Sequence, residues 1–131
     1  MRRLFWFFVA LMGLVCISGC LIGSDLTQDP VSGPYYFWAF ESADQTKFVR
    51  DDTGEDMAHA NPMVIVDSPV TKAGWDNNWV LIEQNKSNFY IFDLNKTKLY
   101  GPFNQLQCTA KRISLGVPTT LDFNRDYTGK W

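Results

Sequence analysis

Residues 35 to 103 contain short apolar runs separated by polar turns, a pattern that predicts consecutive strands with short connections. The run Tyr35–Phe40 (YYFWAF) is apolar at both alternating sets of positions, so we expect both faces of this strand to be covered. The same pattern predicts five further strands, at Lys47–Arg50, Met63–Val66 and residues 79–83, 89–92 and 99–100. Short turns between successive strands favour an antiparallel meander of about six strands.

A single helix is predicted after the last strand, between Asn104 and Gly116. Asparagine is a favourable N-cap, glycine is common just after the last helical turn, and Pro118 prevents the helix from continuing. The predicted fold class is therefore α+β, with an antiparallel β-meander and one C-terminal helix packed on it.

This helix has one apolar stripe, formed by Leu106, Ala110 and Ile113. Their spacing of four and three residues places them on one side of a helix, and we expect that side to pack on the sheet. Cys108 lies about 200° around the helix axis from Leu106. We therefore expect the Cys108 thiol to face outward.

The N-terminal segment has the layout of a secretory signal peptide. Arg2 and Arg3 precede an uncharged, strongly apolar run that ends in small residues. The last four of these positions resemble the lipobox of bacterial lipoproteins, an aliphatic residue, two small residues and a cysteine, here Ile17-Ser18-Gly19-Cys20. The resemblance implies that the Cys20 thiol receives a diacylglycerol, that a peptidase cleaves before Cys20, and that the new N-terminus is also acylated.

An uncleaved signal anchor is the alternative for the same segment. Residues 4–23 are twenty residues without a charge, long enough as a helix to cross a hydrocarbon core of about 30 Å. Both interpretations export the C-terminal part and leave it bound to a membrane. The lipoprotein interpretation divides the chain into a signal peptide (1–19), a lipidated N-terminus and polar tether (20–34) and one small domain (35–131). Leu21 stands where an aspartate would resemble an inner-membrane retention signal, which favours the outer membrane in a diderm bacterium.

The composition limits the partners of the exported part. Removal of residues 1–19, which carry two arginines and no acidic residue, changes the formal net charge from −2 to −4 and leaves 112 residues, enough for one small domain. An acidic chain of this kind is unsuited to a nucleic-acid partner, which requires clustered Lys and Arg. Cys108 is then the only remaining thiol, so we expect no internal disulfide.

The segment from residue 89 to 103 (FYIFDLNKTKLYGPF) resembles one found in small uncharacterised bacterial lipoproteins. The matching residues are an aromatic-aliphatic strand that ends in an acid, a basic turn and a Tyr-Gly-Pro before a helix, namely Tyr90, Ile91, Asp93, Lys98, Tyr100, Gly101 and Pro102. The resemblance supports the predicted hairpin and helix and implies no catalytic function.

Candidate catalytic and metal-binding residues are few. His59 is the only histidine and lies in a polar loop, so we expect a solvated side chain rather than a catalytic base. The run DDTGED at residues 51–56 contains four carboxylates, but its glycine and following residues do not have EF-hand spacing. We interpret it as a solvated turn, with a weak calcium contact as the alternative. We predict no metal, no cofactor and no enzymatic activity.

The sequence favours a binding function. Trp75 and Trp79 flank the polar turn Asp76, Asn77 and Asn78, and aromatic side chains beside amides are common in recognition surfaces. We expect Trp79 to lie in the core and take Trp75 with the three turn residues as the candidate binding surface. The predicted protein is a membrane-anchored lipoprotein whose small domain binds a protein or envelope component. The alternative is an inhibitor or immunity-type protein that blocks a secreted toxin, a phage step or a cell-wall hydrolase.

Overall fold

The computed structural model describes residues 26–40, 42–53 and 62–129. Within them the chain forms nine strands, a 3-10 turn at Ala43–Gln45 and one α-helix. The strands are β1 (Leu26–Ser32), β2 (Tyr35–Phe40), β3 (Lys47–Arg50), β4 (Met63–Val66), β5 (Val70–Trp75), β6 (Trp79–Gln84), β7 (Asn88–Asp93), β8 (Lys98–Phe103) and β9 (Arg125–Asp126), and the helix α1 is Gln105–Leu115.

The strands form two antiparallel sheets. The first has the order β1-β2-β3-β4, and the second has the order β8-β7-β6-β5-β9. Each of the first eight strands pairs with its sequence neighbour except at the β4–β5 connection, where the chain passes from one sheet to the other. The sheet order is therefore that of two consecutive meanders, with β9 returning to pair with β5.

The two sheets pack face to face over an aromatic core. Phe37 of β2 and Phe48 of β3 lie 4.9 Å apart between ring centroids, and Phe48 lies 5.3 Å from Phe92 of β7. Phe37, Phe48, Val80 and Ile82 are fully buried. Alternate residues of each strand point to this interface, as expected when one face of a sheet is covered by another.

The helix α1 covers the opposite face of the second sheet. Leu81 and Ile91 point to this side and pack in one buried cluster with Cys108 of α1 and Val117 of the following loop. The molecule therefore has three layers, the first sheet, the second sheet and α1 with its loop.

The predicted fold class is confirmed, because the domain is a mixed α+β structure that is mostly β. The bounds of β2, β3 and β4 and the predicted ends of α1 agree with the structure. Asn104 Oδ1 accepts a hydrogen bond from Gln107 N (2.8 Å), and Gln107 Oε1 accepts one from Asn104 N (2.9 Å), so a capping box begins the helix. Gly116 has a left-handed conformation with φ of +75°, as the sequence predicts for the residue after the helix.

The number of strands and sheets differs from the prediction of one meander with about six strands. Residues Leu26–Ser32 of the predicted tether form β1, which pairs with β2 at the edge of the first sheet. Gln28, Asp29 and Pro30 give this strand a polar sequence, which an edge strand tolerates because one side of its backbone is unpaired. The prediction also missed β5 and β9. The tether prediction for residues 20–25 lies outside the described residues.

The predicted orientation of α1 was wrong. Leu106 is 82% exposed and Ile113 is 74% exposed, whereas Cys108 is 4% exposed. Cys108 and Leu115 face the sheet instead, and they are separated by seven residues, the same two-turn spacing as Leu106 and Ile113. Both sides of this helix therefore have an apolar repeat, and the sheet contacts the side that contains the thiol. No helix among the described residues is long and apolar enough to cross a membrane.

Candidate binding cleft

The predicted binding surface forms the tight turn between β5 and β6. Asp76 Oδ1 accepts hydrogen bonds from Asn78 N and Trp79 N, both at 2.8 Å, so the acid caps the turn. Asn77 and Asn78 are exposed, and Asn78 Oδ1 accepts a hydrogen bond from Asn95 Nδ2 in the neighbouring β7–β8 turn (3.1 Å). The turn is thus an ordered polar surface, and its role in binding stays a prediction.

Trp75 is half-buried at the start of this turn. Its ring stacks on Phe37 at 5.4 Å, and the Arg125 guanidinium lies 5.2 Å from its centroid. Trp79 also contacts the core, on the side of α1, which agrees with its predicted position. The structure therefore separates the two tryptophans, which lie on opposite faces of the second sheet.

Several predicted chemical features lie outside the described residues, namely the lipobox with Cys20, His59 and residues 54–56 of the acidic run. The first part of that run is described. Asp51 Oδ1 accepts hydrogen bonds from Thr53 N (3.0 Å) and Thr53 Oγ1 (2.7 Å), and Asp52 pairs with Arg50 at 3.0 Å. In the described part of the chain, no group of three or more His, Cys, Asp or Glu side chains is placed to hold a metal ion.

A different site emerges between α1 and the second sheet. An open cleft of about 580 Å³ runs along the helix and reaches the β6–β7 turn. Its walls are mostly polar, and they are formed by Lys72, Glu83, Lys86, Ser87, Phe89, Gln105, Cys108, Thr109, Arg112, Asp122 and Phe123. A volume of this size is in the range of about 300–1,000 Å³ that small-molecule sites usually have.

The floor of the cleft is one cross-strand row of the second sheet. Lys72 of β5 is opposite Glu83 of β6, and Glu83 is opposite Phe89 of β7. Directly opposite residues in an antiparallel pair point to the same face, so these three side chains all point toward α1. Asp126 of β9 is opposite Lys72 and extends the row at the edge of the sheet.

Thr71 fixes the polar end of the cleft. Its buried hydroxyl donates to Glu83 Oε2 (2.8 Å) and accepts from the backbone N of Lys86 (3.2 Å). Asn85 N also donates to Pro69 O at 2.8 Å. These bonds hold the β6–β7 turn, in which Asn85 and Lys86 have φ of +52° and +61°, against the start of β5. They thereby hold both Glu83 and the Lys86 backbone at the cleft.

The helix wall is held by its own loop. Arg112 Nη2 donates to Leu121 O (2.5 Å) and also lies 3.4 Å from Pro118 O. Phe123 in the same loop makes an edge-to-face contact with Phe89, with ring centroids 5.9 Å apart. Cys108 closes the inner end of the wall, and burial raises the pKa of its thiol despite the nearby Arg112 charge.

The cations of the cleft differ in their partners. Among the described residues, neither Lys72 nor Lys86 has an acidic oxygen within 4.0 Å of its ammonium group. Both lie close enough to Asp126 to help lower the pKa of that exposed carboxyl, although its hydrogen bonds from Thr128 are the main cause. The cleft is thus lined by two lysines that have no ion pair with the described residues, together with Arg112, Glu83 and Asp122.

The cleft could not be predicted from the sequence for two reasons. The prediction lacks β5, which supplies Lys72. It also packs the wrong side of α1 on the sheet, which turns Cys108, Thr109 and Arg112 away from the sheet. The sequence signal that could have found the site is the spacing of Gln105, Cys108, Thr109 and Arg112, which lie at i, i+3, i+4 and i+7.

The fold and the cleft define a small two-sheet α+β domain with a polar cleft beneath its only described helix. The chain belongs to a family described as "protein of unknown function (DUF3997)", whose model matches residues 33–127. The match begins just before β2 and ends just after β9, so it covers strands β2 to β9, α1 and all the residues that line the cleft, and leaves out β1. No curated protein and no solved structure matches the chain significantly.

Proposed function

We propose that this protein is an exported, lipid-anchored domain that binds an envelope component without catalysing a reaction on it. The cleft between α1 and the second sheet is the observation that carries the binding role. The lipobox-like sequence at residues 17–20 supports the anchor through Cys20, and the preceding apolar run supports export.

The position of the cleft suits a binding domain. Its floor is a paired sheet, and its helix wall is fastened by a capping box at one end and by Arg112 at the other. Side chains held by such elements keep their geometry better than those on loops, which reduces the entropy lost on binding.

The Cys108 thiol is the group in the cleft most suited to nucleophilic attack. Its raised pKa disfavours the thiolate, which supports binding over nucleophilic catalysis.

The anchor is tested by intact-mass measurement of the membrane fraction. We expect a mature chain that begins at Cys20 and has the added mass of two or three acyl chains, since one chain alone holds a protein only marginally. Cys20→Ser should leave an uncleaved precursor. An unmodified chain that still contains Arg2 and Arg3 would establish the signal anchor instead.

The binding role is tested by crosslinking in intact envelopes followed by capture of the full chain. Thr109→Trp should fill the cleft and abolish capture of the specific component, because Thr109 is exposed and lines the cleft. Ser114→Trp, at another exposed position of α1, is the matched control and should not affect capture. Asn77→Ala with Asn78→Ala tests the predicted turn surface in parallel. If no variant changes what is captured, the binding role is wrong.

A protein inhibitor is the second candidate function, and the exposed stripe of α1 favours it. Leu106 and Ile113 lie two turns apart on one side of the helix and are mostly exposed. Such residues can form the centre of an interface with a secreted enzyme or toxin, and the acidic net charge would favour a basic target. An adjacent toxin or prophage gene, together with loss of inhibition in a Leu106→Ser, Ile113→Ser variant, would favour this function over the first.

A further inference from the structure

We propose that the cleft binds a polyhydroxylated ligand that carries a phosphate group, the chemistry of a sugar phosphate or polyol phosphate. This inference rests on the proposed role of the cleft as the binding site and names the class of ligand. It follows from three parts of the cleft, which are its cations, its hydrogen-bond acceptors and its aromatic pair.

The cations favour a phosphate. Lys72 projects from the floor and Lys86 from the β6–β7 turn, and both lack an ion pair with the described residues. Ammonium groups act as point charges and suit a phosphate, whose charge is spread over several oxygens. The fork of Arg112 is engaged with backbone carbonyls of its loop, so it contributes positive charge rather than the planar two-bond contact that carboxylates prefer.

The acids favour a ligand with hydroxyl groups. Glu83 accepts from Thr71 through Oε2, and among the described residues none donates to its other oxygen. Asp122 also lines the cleft, and its Oδ1 accepts a hydrogen bond from Phe123 N at 2.8 Å. These carboxylates, with Asp126 beside Lys72, would repel a bare anion, but they accept hydrogen bonds from hydroxyl groups. Gln105, Thr109 and Ser87 add neutral donors and acceptors around the same space.

The aromatic pair favours a ring or carbon chain between the polar groups. Phe89 and Phe123 contact each other edge to face and both line the cleft. Ligand sites usually combine such apolar surface with a few polar groups that fix the orientation. The C–H face of a sugar or polyol can lie on these rings while its hydroxyl groups reach Glu83 and Asp122. A ligand with only a phosphate group, or only hydroxyl groups, would leave part of this surface without a contact.

The test measures binding of three probes to the purified full chain in detergent by calorimetry, at constant ionic strength. The probes are glucose 1-phosphate, inorganic phosphate and glucose. We expect glucose 1-phosphate to bind about tenfold or more tightly than inorganic phosphate or glucose, because it alone has both a phosphate group and sugar hydroxyl groups. Lys72→Gln with Lys86→Gln should weaken glucose 1-phosphate binding by about tenfold or more. Lys96→Gln with Lys98→Gln removes the same charge from the β7–β8 turn and the first residue of β8, and it should leave binding unchanged.

Three outcomes would overturn the inference. These are absence of saturable binding of glucose 1-phosphate, equal binding of phosphate alone, and equal weakening in the Lys96, Lys98 control. Glu83→Gln provides a second check, since it should weaken glucose 1-phosphate more than inorganic phosphate if hydroxyl groups contact the carboxylate. A partner that is captured in envelopes and lost in Thr109→Trp, without sugar-phosphate binding, would leave the proposed function standing and remove only this ligand class.

Discussion

The hydroxyl of Tyr127 donates a hydrogen bond of 2.8 Å to Asp29 Oδ2, and the two residues are separated by 98 positions in the sequence. Asp29 lies in β1 of the first sheet, whereas Tyr127 follows β9 of the second, so the bond joins the two ends of the described chain. Arg125 lies 3.7 Å from the same carboxylate oxygen. The Tyr127 ring is buried and packs 5.5 Å from Phe37 in the core between the sheets. The bond therefore secures one side of the sandwich.

Removal of this hydroxyl should destabilise the fold. Tyr127→Phe keeps the ring in the core but leaves the partly buried Asp29 carboxylate with one partner fewer, so we expect a loss of about 1–3 kcal/mol in the free energy of unfolding. Urea denaturation of the full chain in detergent measures the loss. Tyr36→Phe is the matched control, since Tyr36 is half-buried on the outer side of the first sheet, the sheet that contains Asp29. It should change the free energy of unfolding by less than about 0.5 kcal/mol. Equal effects of the two variants would contradict the importance of the bond.

The same tyrosine should make stability depend on pH in the alkaline range. Burial, followed by the hydrogen bond to Asp29 and the Asp29 charge, raises the Tyr127 pKa far above its ordinary value of 10.0. Below pH 10 both folded and unfolded chains keep the proton, so the full stabilisation is present. Above it the unfolded chain releases the proton while the folded chain retains it, and stability falls as the pH rises. The advantage of the native chain over Tyr127→Phe should therefore shrink between pH 9 and pH 11. A constant difference in urea midpoint across this range would refute the assignment.

The observed orientation of α1 predicts that replacing leucine by alanine destabilises the fold much more at Leu115 than at Leu106. Leu106 is mostly exposed, whereas Leu115 packs against the buried cluster beneath the helix. Leu106→Ala should change the free energy of unfolding by less than about 0.5 kcal/mol, and Leu115→Ala should lower it by about 1–2 kcal/mol. Both variants replace leucine by alanine, so the intrinsic helix propensity changes equally in each. The difference between their free energies of unfolding, measured by heat or urea, therefore reports the burial of the two side chains. A larger loss of stability in Leu106→Ala than in Leu115→Ala would instead support the orientation predicted from the sequence.

The comparison of α1 with β1 shows which features the sequence could predict. The ends of α1 depend on local chemistry, and the sequence alone predicts both of them, with Asn104 as the N-cap and Gly116 as the residue after the last helical turn. The bond between Asn104 N and Gln107 Oε1 that completes the capping box was not predicted. The side of α1 that packs depends on tertiary contacts, because its two apolar repeats are alike in spacing. β1 has no apolar pattern, and its strand conformation comes from pairing with β2. The cleft could not be predicted for both reasons, because its walls include Lys72 of β5, a strand that was not predicted, and the side of α1 that was predicted to face away from the sheet.

The burial of Cys108 predicts slow reaction with thiol reagents in the folded chain. The sequence predicts that the Cys108 thiol faces outward, but the residue is 4% exposed, and burial raises the pKa of the thiol. We expect maleimide modification of Cys108, followed by peptide mass mapping, to be roughly ten times slower or more in buffer than in urea. A Cys108→Ala, Thr109→Cys variant moves the thiol one position to an exposed site and should react rapidly in buffer. Equal rates at positions 108 and 109 would show that the thiol is accessible.

Gly74 should tolerate no side chain, because the loop after α1 lies directly on it. A Cβ added at Gly74 would lie 1.7 Å from Asp122 O and 2.8 Å from the carbonyl carbon. Both atoms belong to the backbone, so the loop itself would have to move, and we expect Gly74→Ala to cost about 3 kcal/mol. Gly129→Ala is the control, since no atom of the described residues lies within 4 Å of its added Cβ, and it should cost less than about 0.5 kcal/mol.

The same displacement should reach the cleft. The loop that covers Gly74 carries Asp122 and Phe123, which line the cleft, and Leu121, whose carbonyl accepts from Arg112. At a temperature where Gly74→Ala is still folded, its affinity for glucose 1-phosphate should therefore fall together with its stability, whereas Gly129→Ala should keep both. Unfolding by urea and calorimetric titration measure the two quantities on the same preparation. A Gly74→Ala chain with native stability would show that the loop does not rest on β5, and the position of the cleft wall would then be wrong.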